Sequence, residues 1–310
     1  MSVAGRRLAA MDVGTNTTRM LVVDAADGEV SELDRRLIFT RLGQGVDASG
    51  RLAPDAIGRT VSAITTFTEI CQGFAVERTR VAGTSAVREA ANRAELIAAV
   101  RAAAGVDLEV IPGEEEASLS FTGATQDLGA GRYLVCDIGG GSTEFAGGHT
   151  GPDGPGLDGG ISLPVGVVRV TERYHPGDPP TVAECTAMEA GIDEVLAAAP
   201  MELGDGAALV GVAGTVTSLA AIQLGLDHYD PAAVHGSYLD VATIQGLYRR
   251  LAAMTNAERE QLAPLPPGRA DVIVAGCAIL TRVLARWSFP GVQVSEKDIL
   301  DGLVLGILNA

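Results

Sequence analysis

Ala10-Met11-Asp12-Val13-Gly14-Thr15-Asn16-Thr17-Thr18-Arg19 and, further along, Val135-Cys136-Asp137-Ile138-Gly139-Gly140-Gly141-Ser142-Thr143-Glu144 are two versions of one pattern. In each, an apolar run (7–11; 132–136) ends in Asp-x-Gly, small polar residues follow, and a second apolar run begins (19–23; 144–146). Apolar runs bounded by Gly, Ser and Thr read as strands joined by a turn, so each copy predicts a β-hairpin with one aspartate at its bend. Two copies predict two similar halves, each opening on the same hairpin.

A turn of this composition suits phosphate. Successive backbone N–H groups make a small concavity for anions. Glycine lets the backbone approach closely, and Ser and Thr hydroxyls add donors. Gly14, Thr15, Asn16, Thr17 and Thr18 can supply these groups in the first turn, and Gly139, Gly140, Gly141, Ser142 and Thr143 in the second. Asp12 and Asp137 by themselves would repel phosphate. They make sense if a divalent cation lies between them, because Mg2+ is held by one or two carboxylates together with phosphate oxygens and water. One Asp-x-Gly is also an ordinary turn; the matched pair at the ends of apolar strands is what points to a ligand.

A third glycine-rich element, Gly211-Val-Ala-Gly214-Thr215-Val-Thr217-Ser218, follows a predicted strand and leads into a predicted helix. Free N–H groups at a helix start favour anions, although a tight strand-to-helix connection has the same composition. Glu114, Glu115 and Glu116 follow Pro112-Gly113 and open a helical stretch. Acidic residues stabilise a first turn by ~0.3–1 kcal/mol each with no further role. Hydrolysis, however, needs a group to orient and deprotonate water, and a carboxylate can do so. At about 100° per residue, one or two of the three can face a cleft. The residues alone do not choose among them.

The remaining pattern alternates helix and strand, which predicts an α/β fold. Pro54 opens a helix with Ile57, Val61, Ile64, Phe67 and Cys71 on one face at the helical period. Strands are predicted at 80–83, 107–111, 161–164, 208–213 and 291–295. Helices are predicted at 92–104, 114–125, 182–199, 216–224, 246–254, 271–287 and 298–308. The segment 147–160 holds seven glycines and two prolines and predicts a mobile hairpin loop.

Length and composition set the outer bounds. The 310 residues suffice for two domains, and 47% hydrophobic against 20% charged residues marks a globular chain. No apolar run reaches the ~18 residues that cross a bilayer, which predicts no membrane partner. The N-terminal residues 1–8 include basic side chains but no apolar stretch behind them, so no leader is expected and the cytoplasm is the expected location. Cys71, Cys136, Cys185 and Cys277 lie far apart and read as reduced core thiols. His149, His175, His228 and His235 show no zinc spacing. With 39 acidic and 23 basic residues, the net charge of −16 disfavours a nucleic-acid partner. Lys297 is the one lysine; the other cations are arginine, whose forks grip phosphate in a bidentate way.

Six segments lie in this order along the chain: Asp12-Val-Gly-Thr-Asn-Thr, Ala82-Gly-Thr-Ser-Ala-Val-Arg88-Glu-Ala-Ala-Asn92, Gly113-Glu-Glu-Glu-Ala117, Asp137-Ile-Gly-Gly-Gly-Ser-Thr-Glu144, Gly211-Val-Ala-Gly-Thr215 and Arg269-Ala-Asp-Val-Ile. On these the chain resembles the exopolyphosphatase and guanosine pentaphosphate phosphatase family of the actin-like ATPase superfamily, and most of all its short actinobacterial exopolyphosphatases. The segments occur in the family's order from near the first residue almost to the last. The resemblance implies two ribonuclease-H-like domains flanking a central cleft, 1–126 plus 297–310 and 127–296, with the helix at 298–308 returning to the first. It implies Mg2+-dependent release of terminal orthophosphate from inorganic polyphosphate, with Mn2+ as the alternative metal, guanosine pentaphosphate as the alternative substrate and a homodimer as the expected assembly. The glutamate before the alanine of the family's Gly-x-Glu-Glu-Ala motif falls on Glu116, as base. Glu144 becomes the second acidic group near metal and water, Asp12 and Asp137 the metal-facing aspartates, and Gly214 and Thr215 part of the phosphate site. Arg19, Arg88 and Arg269 are the expected phosphate clamps.

Two departures bear on these expectations. Thr15 and Thr17 stand where the family usually has serine, which keeps the hydroxyls. The chain stops at 310 residues where longer members continue into further helical domains, so short polyphosphate or oligophosphate ends are the expected substrate. An actin-like small-molecule kinase and a low-turnover nucleotide- or polyphosphate-binding regulator are the competing functions.

Overall fold

The apolar runs on either side of Asp12 become β1 (Arg6–Val13) and β2 (Thr17–Ala26), and a third strand, β3 (Glu29–Phe39), pairs antiparallel on β2. The computed structural model describes residues 5–26, 29–152, 154–174 and 177–309; residues 1–4, part of the leader reading, and His175 lie outside them. After a short helix α1 (Val46–Ser49), Pro54 at its first position starts α2 (Pro54–Gly73). The chain continues through β4 (Arg78–Gly83), α3 (Ser85–Glu89), α4 (Arg93–Ala104), β5 (Leu108–Val110) and α5 (Gly113–Ala124). The first sheet has the order β3-β2-β1-β4-β5, with β4 and β5 parallel to β1. The predicted apolar stripe of α2 is confirmed: Ile64, Phe67 and Cys71 are buried against Met11, Val13 and Met20, with Ile57 and Val61 packed beside them.

The second half repeats the plan. β6 (Gly131–Ile138), β7 (Thr143–Gly151) and β8 (Gly154–Leu163) form the antiparallel trio, followed by α6 (Val167–Tyr174) and α7 (Val182–Leu196). Then come β9 (Ala208–Val212), α8 (Ala213–Gln223), α9 (Pro231–Val234), β10 (Tyr238–Asp240), α10 (Val241–Ala252), α11 (Asn256–Arg259), α12 (Ile273–Trp287), β11 (Gly291–Val294) and α13 (Ile299–Leu308). Its sheet runs β10-β11-β9-β6-β7-β8. Without the extra edge strand β10 the two orders are the same, so the fold is α/β with two ribonuclease-H-like halves. Cys136 and Cys277 sit in the second core and Cys71 in the first, as free buried thiols, while Cys185 is half-buried.

The two halves exchange their last helices. α13, which follows the second sheet, packs Ile299, Leu300, Leu303, Val304 and Ile307 onto Leu8, Ala10, Leu21 and Val23 of the first. α5, which follows the first sheet, packs Ala117, Phe121 and Ala124 onto Val135, Ala146, Val210 and Val212 of the second.

Several local expectations are corrected. Residues 147–160 are no loop: β7 runs to Gly151 and β8 starts at Gly154, paired antiparallel. Their glycines are what lets a helix lie close on this hairpin. A Cβ on Gly148 would come 2.6 Å from Phe121, and one on Gly160 would come 3.1 Å from Ala117, both on α5. Helix α10 begins at Val241, earlier than expected, because Asp240 caps it through the Thr243 N–H at 2.7 Å. α7 ends at Leu196 rather than Ala199. Among the described residues, no helix is long and apolar enough to cross a membrane.

Candidate active site

Both aspartate turns close in the same way. Gly14 N donates to Thr17 O and Gly139 N donates to Ser142 O, each at 3.0 Å, and register pairs Asp12 with Arg19 and Asp137 with Glu144. The carbonyls of the turns are already engaged on their outer side. In the first turn, Thr15 O accepts from Gly43 N and Asn16 O from Arg41 N, both at 2.8 Å. In the second, Gly139 O accepts from Val167 N at 2.9 Å and Gly140 O from Val168 N at 2.8 Å, at the start of α6. Carbonyl and N–H point opposite ways across a trans peptide, so fixing the carbonyls outward turns amide hydrogens inward. Phosphate needs that polarity.

The turns meet face to face. A Cβ on Gly141 would lie 2.6 Å from Ser85 Oγ and 2.7 Å from Thr15 Oγ1, and one on Gly140 would lie 2.9 Å from Thr15 Cβ. Between them is a cleft of about 100 Å3 whose lining includes Asp12, Gly14, Thr15, Asn16, Thr17 and Arg19 from one half. The other half contributes Asp137, Gly139, Gly140, Gly141, Ser142, Glu144, Gly214, Thr215 and Arg269, and Glu116 joins from α5. Thr143 is not brought to the cleft; its buried hydroxyl donates to the Val165 carbonyl. Arg88 does not line the cleft directly but reaches it through Glu116.

Thr84 and Ser85 also line the cleft and were not singled out from sequence. A signal for them exists: Val81-Ala-Gly-Thr84, where β4 meets α3, recurs as Val212-Ala-Gly-Thr215, where β9 meets α8. The strand-to-helix connection is duplicated along with the hairpin.

Four carboxylates crowd this space, all buried: Asp12, Glu116, Asp137 and Glu144. Asp12 Oδ2 accepts from Arg19 Nε at 3.0 Å and Nη2 at 2.7 Å, while Asp12 Oδ1 is buried with no hydrogen-bond partner. Arg19 also pairs with Asp298, the N-cap of α13, so its guanidinium is held between two carboxylates. Asp137 Oδ2 accepts from Ser120 Oγ at 2.8 Å. Glu144 Oε1 accepts from Ser142 and Ser162 hydroxyls, each at 2.6 Å. Glu116 Oε2 accepts from Arg88 Nη1 at 2.9 Å. Arg269 lies against Gly214, where a Cβ would collide with its guanidinium, and donates to Ser218 Oγ at 3.2 Å.

Burial and mutual repulsion set the protonation equilibria. Burial first, and Asp298 second, push Asp137 up to about 6. Burial and then Asp137 push Glu144 up to about 7. Glu116 is raised well above the usual carboxylate range by burial and by Glu144, with Arg88 pulling the other way. Asp12 is raised by burial against the opposing charge of Arg19. Desolvation lowers Arg269 to about 10.

Paired halves of this topology, closing on amide-lined turns and buried carboxylates, define a two-lobed phosphate-handling enzyme of the actin-like class. Residues 21–310 match the Ppx/GppA phosphatase family, and the chain belongs to that family. It is 40% identical over 322 aligned residues to Exopolyphosphatase 2 of Mycobacterium tuberculosis, covering 97% of this chain and 98% of that one. A crystal structure of an exopolyphosphatase-like protein superposes with a TM-score of 0.92 at 35% identity, covering 99% of this chain and 100% of that chain. The Aquifex aeolicus member of the Ppx/GppA family superposes with a TM-score of 0.82 at 30% identity, covering 98% of each chain.

Proposed function

We propose that this chain is a divalent-cation-dependent exopolyphosphatase that releases terminal orthophosphate from inorganic polyphosphate, with Glu116 as the base. The observation that carries the reading is the position of Glu116: buried on the wall of a cleft between two phosphate-type turns, with its Oε2 fixed by Arg88. The turn amides, Ser142 N–H among them, and the hydroxyls of Thr15 and Thr17 bind and orient the terminal phosphoryl group, since the one proton of the Ser142 hydroxyl is already given to Glu144. Glu116 Oε1 takes the proton of the attacking water. Glu144, immobilised by two serine hydroxyls, keeps the pKa of Glu116 high and helps place that water.

A divalent cation fits the residues present. Asp12 Oδ1 is a buried oxygen with no partner, and Asp12, Asp137 and Glu144 all lack enough compensating charge to ionise easily. These three would hold Mg2+, or Mn2+ in its place. Among the described residues no three such side chains stand at metal-ligand spacing, so phosphate oxygens and water would have to complete the shell, the usual arrangement for Mg2+. When bound, the cation would offset charge on the transferring phosphoryl group and acidify water.

Phosphate release from polyphosphate by wild type and Glu116→Gln tests the assignment. Loss of a general base is expected to lower kcat ~10²–10⁴-fold; a variant keeping more than about a tenth of the rate would show that the base lies elsewhere.

One observation favours guanosine pentaphosphate as a second substrate. A cavity of about 620 Å3 shares Arg19, Gly214 and Arg269 with the cleft and continues past Tyr229 and Thr217, a size within the range of small-molecule sites. Side-by-side kcat/KM for both substrates separates the readings. ADP formation that depends on an added acceptor would mark a kinase instead, and tight binding without phosphate release a regulator. The same proposal assigns 1–126 with 297–310 to one domain and 127–296 to the other, with α5 of the first domain crossing to pack on the second domain's sheet. It also includes a preference for short polyphosphate, a cytoplasmic location and a homodimer.

A further inference from the structure

We propose that Arg169 is a positioning residue of the phosphate site: it holds the Gly141 carbonyl turned out of the cleft and ties that peptide to the opposite lobe. This rests on the phosphatase reading of the cleft. The carbonyls of Gly139 and Gly140 are held by backbone N–H groups at the start of α6, which survive any side-chain substitution. The third carbonyl of the turn is different. Gly141 O accepts from the side chain of Arg169, through Nε at 2.7 Å. That bond orients the Gly141–Ser142 peptide, whose N–H must point the other way, toward the cleft that Ser142 lines.

The same guanidinium reaches across the gap between the lobes. Nη2 donates to Glu89 Oε2 at 2.6 Å and Nη1 to Asp47, both on the first half. Glu89 Oε1 in turn accepts from Ser85 Oγ at 3.0 Å, and Ser85 lines the cleft. A continuous chain therefore runs from Ser85 through Glu89 and Arg169 to Gly141, joining one lobe's helix start to the other lobe's turn. Neighbouring contacts hold the lobes in the same place: Arg173 pairs with Asp47, and Gly45 N donates to Glu172 Oε1 at 2.9 Å. The Arg169 side chain is only 12% exposed, which sets it apart from the solvent-screened ion pairs that contribute little. A lysine could not replace it, because three acceptors in different directions need the planar fork.

An amide aimed at an oxygen where charge builds acts mainly in the transition state, so its misplacement appears in kcat more than in KM. The test is steady-state phosphate release from polyphosphate by the full chain, with thermal unfolding measured alongside. Arg169→Met is expected to lower kcat ~10²-fold, the scale of losing one preorganised donor, with KM and Tm little changed. Arg169→Lys is expected to recover only part of the rate. The double variant Asp47→Ala/Glu89→Ala, which removes both first-lobe acceptors of the guanidinium, is expected to lower kcat by about tenfold, a smaller loss because the Gly141 bond stays. A folded Arg169→Met with kcat within about threefold of wild type overturns the proposal, and so does a loss confined to KM, which would mean contact with substrate. If Arg169→Met does not fold, the double variant decides, and wild-type kcat in it overturns the inter-lobe role. Failure of the underlying reading shows separately, as wild type that releases no phosphate or Glu116→Gln that still does.

Discussion

Glu116 differs from Glu114 and Glu115 only by helix phase, and phase decides everything about it. Glu114 is exposed, and Glu115 turns outward to pair with Arg80 at 2.6 Å. Glu116 alone is buried at the cleft, and its protonation equilibrium is set by a balance between burial and Glu144 on one side and Arg88 on the other. If Glu116 is the base as proposed, it must be ionised to act, so activity is expected to fall as pH drops through its raised pKa. Removing the one favourable charge raises that pKa further. Arg88→Gln is therefore expected to move the acid limb of the kcat profile to higher pH by about one pH unit, the low end of what a nearby opposite charge is worth. A limb that stays put, or moves to lower pH, would refute the balance described. The aspartates were legible in sequence because a duplicated turn is a local pattern. Helix phase was not, because it depends on where Pro112 starts α5. The partnership of Arg19 with Asp298 was invisible for another reason: the two residues lie at opposite ends of the chain.

At the scale of elements, the crossing of α5 and α13 fixes how the halves sit. A Cβ on Gly123 would come 1.9 Å from the Asp298 carbonyl oxygen, and one on Gly302 would come 2.1 Å from that of Leu119. Each helix thus meets the other's backbone through a glycine. Gly302→Ala is expected to destabilise the protein by ~1–3 kcal/mol, the cost of overpacking a close contact. Gly58→Ala is expected to stabilise it by ~0.5–1 kcal/mol, because nothing lies within 4 Å of its Cβ position on α2. Urea unfolding of the two variants checks both signs; equal effects would mean that the crossing tolerates a methyl group. Sequence periodicity identified both helices, and the resemblance implied the return of α13 to the first sheet; the reciprocal packing of α5 on the second sheet was not anticipated. The same gap explains the misread hairpin at 147–160, where glycine content argues against a strand locally and for close helix packing once α5 is in place. Strand β3 escaped notice because most of its side chains are exposed, leaving no apolar alternation to read.

Across the whole molecule, the surface works against a polyanionic substrate. The net charge is −16, and the basic side chains beside the cleft are largely spent on carboxylates: Arg35 on Asp301 and Glu32, Arg36 on Asp34, Lys297 on Asp127. Among the described residues, the ion pairs around the larger cavity leave little unpaired positive charge there for phosphates beyond the terminal few, and a net negative chain repels a polyanion at long range. Proteins that bind polyanions through basic tracks lose ~10³–10⁵ in affinity between about 50 and 200 mM salt. Here added salt screens a repulsion instead, over a Debye length that is ~10 Å at 0.1 M. At a fixed, saturating Mg2+ concentration, kcat/KM for long polyphosphate is expected to hold or rise as monovalent salt increases over that range. For short oligophosphates, which on the proposed reading meet mainly the local field of the turns and Arg269, it is expected to fall slightly. A steep fall with long chains would instead require a cationic path that the ion pairs around the larger cavity do not leave open.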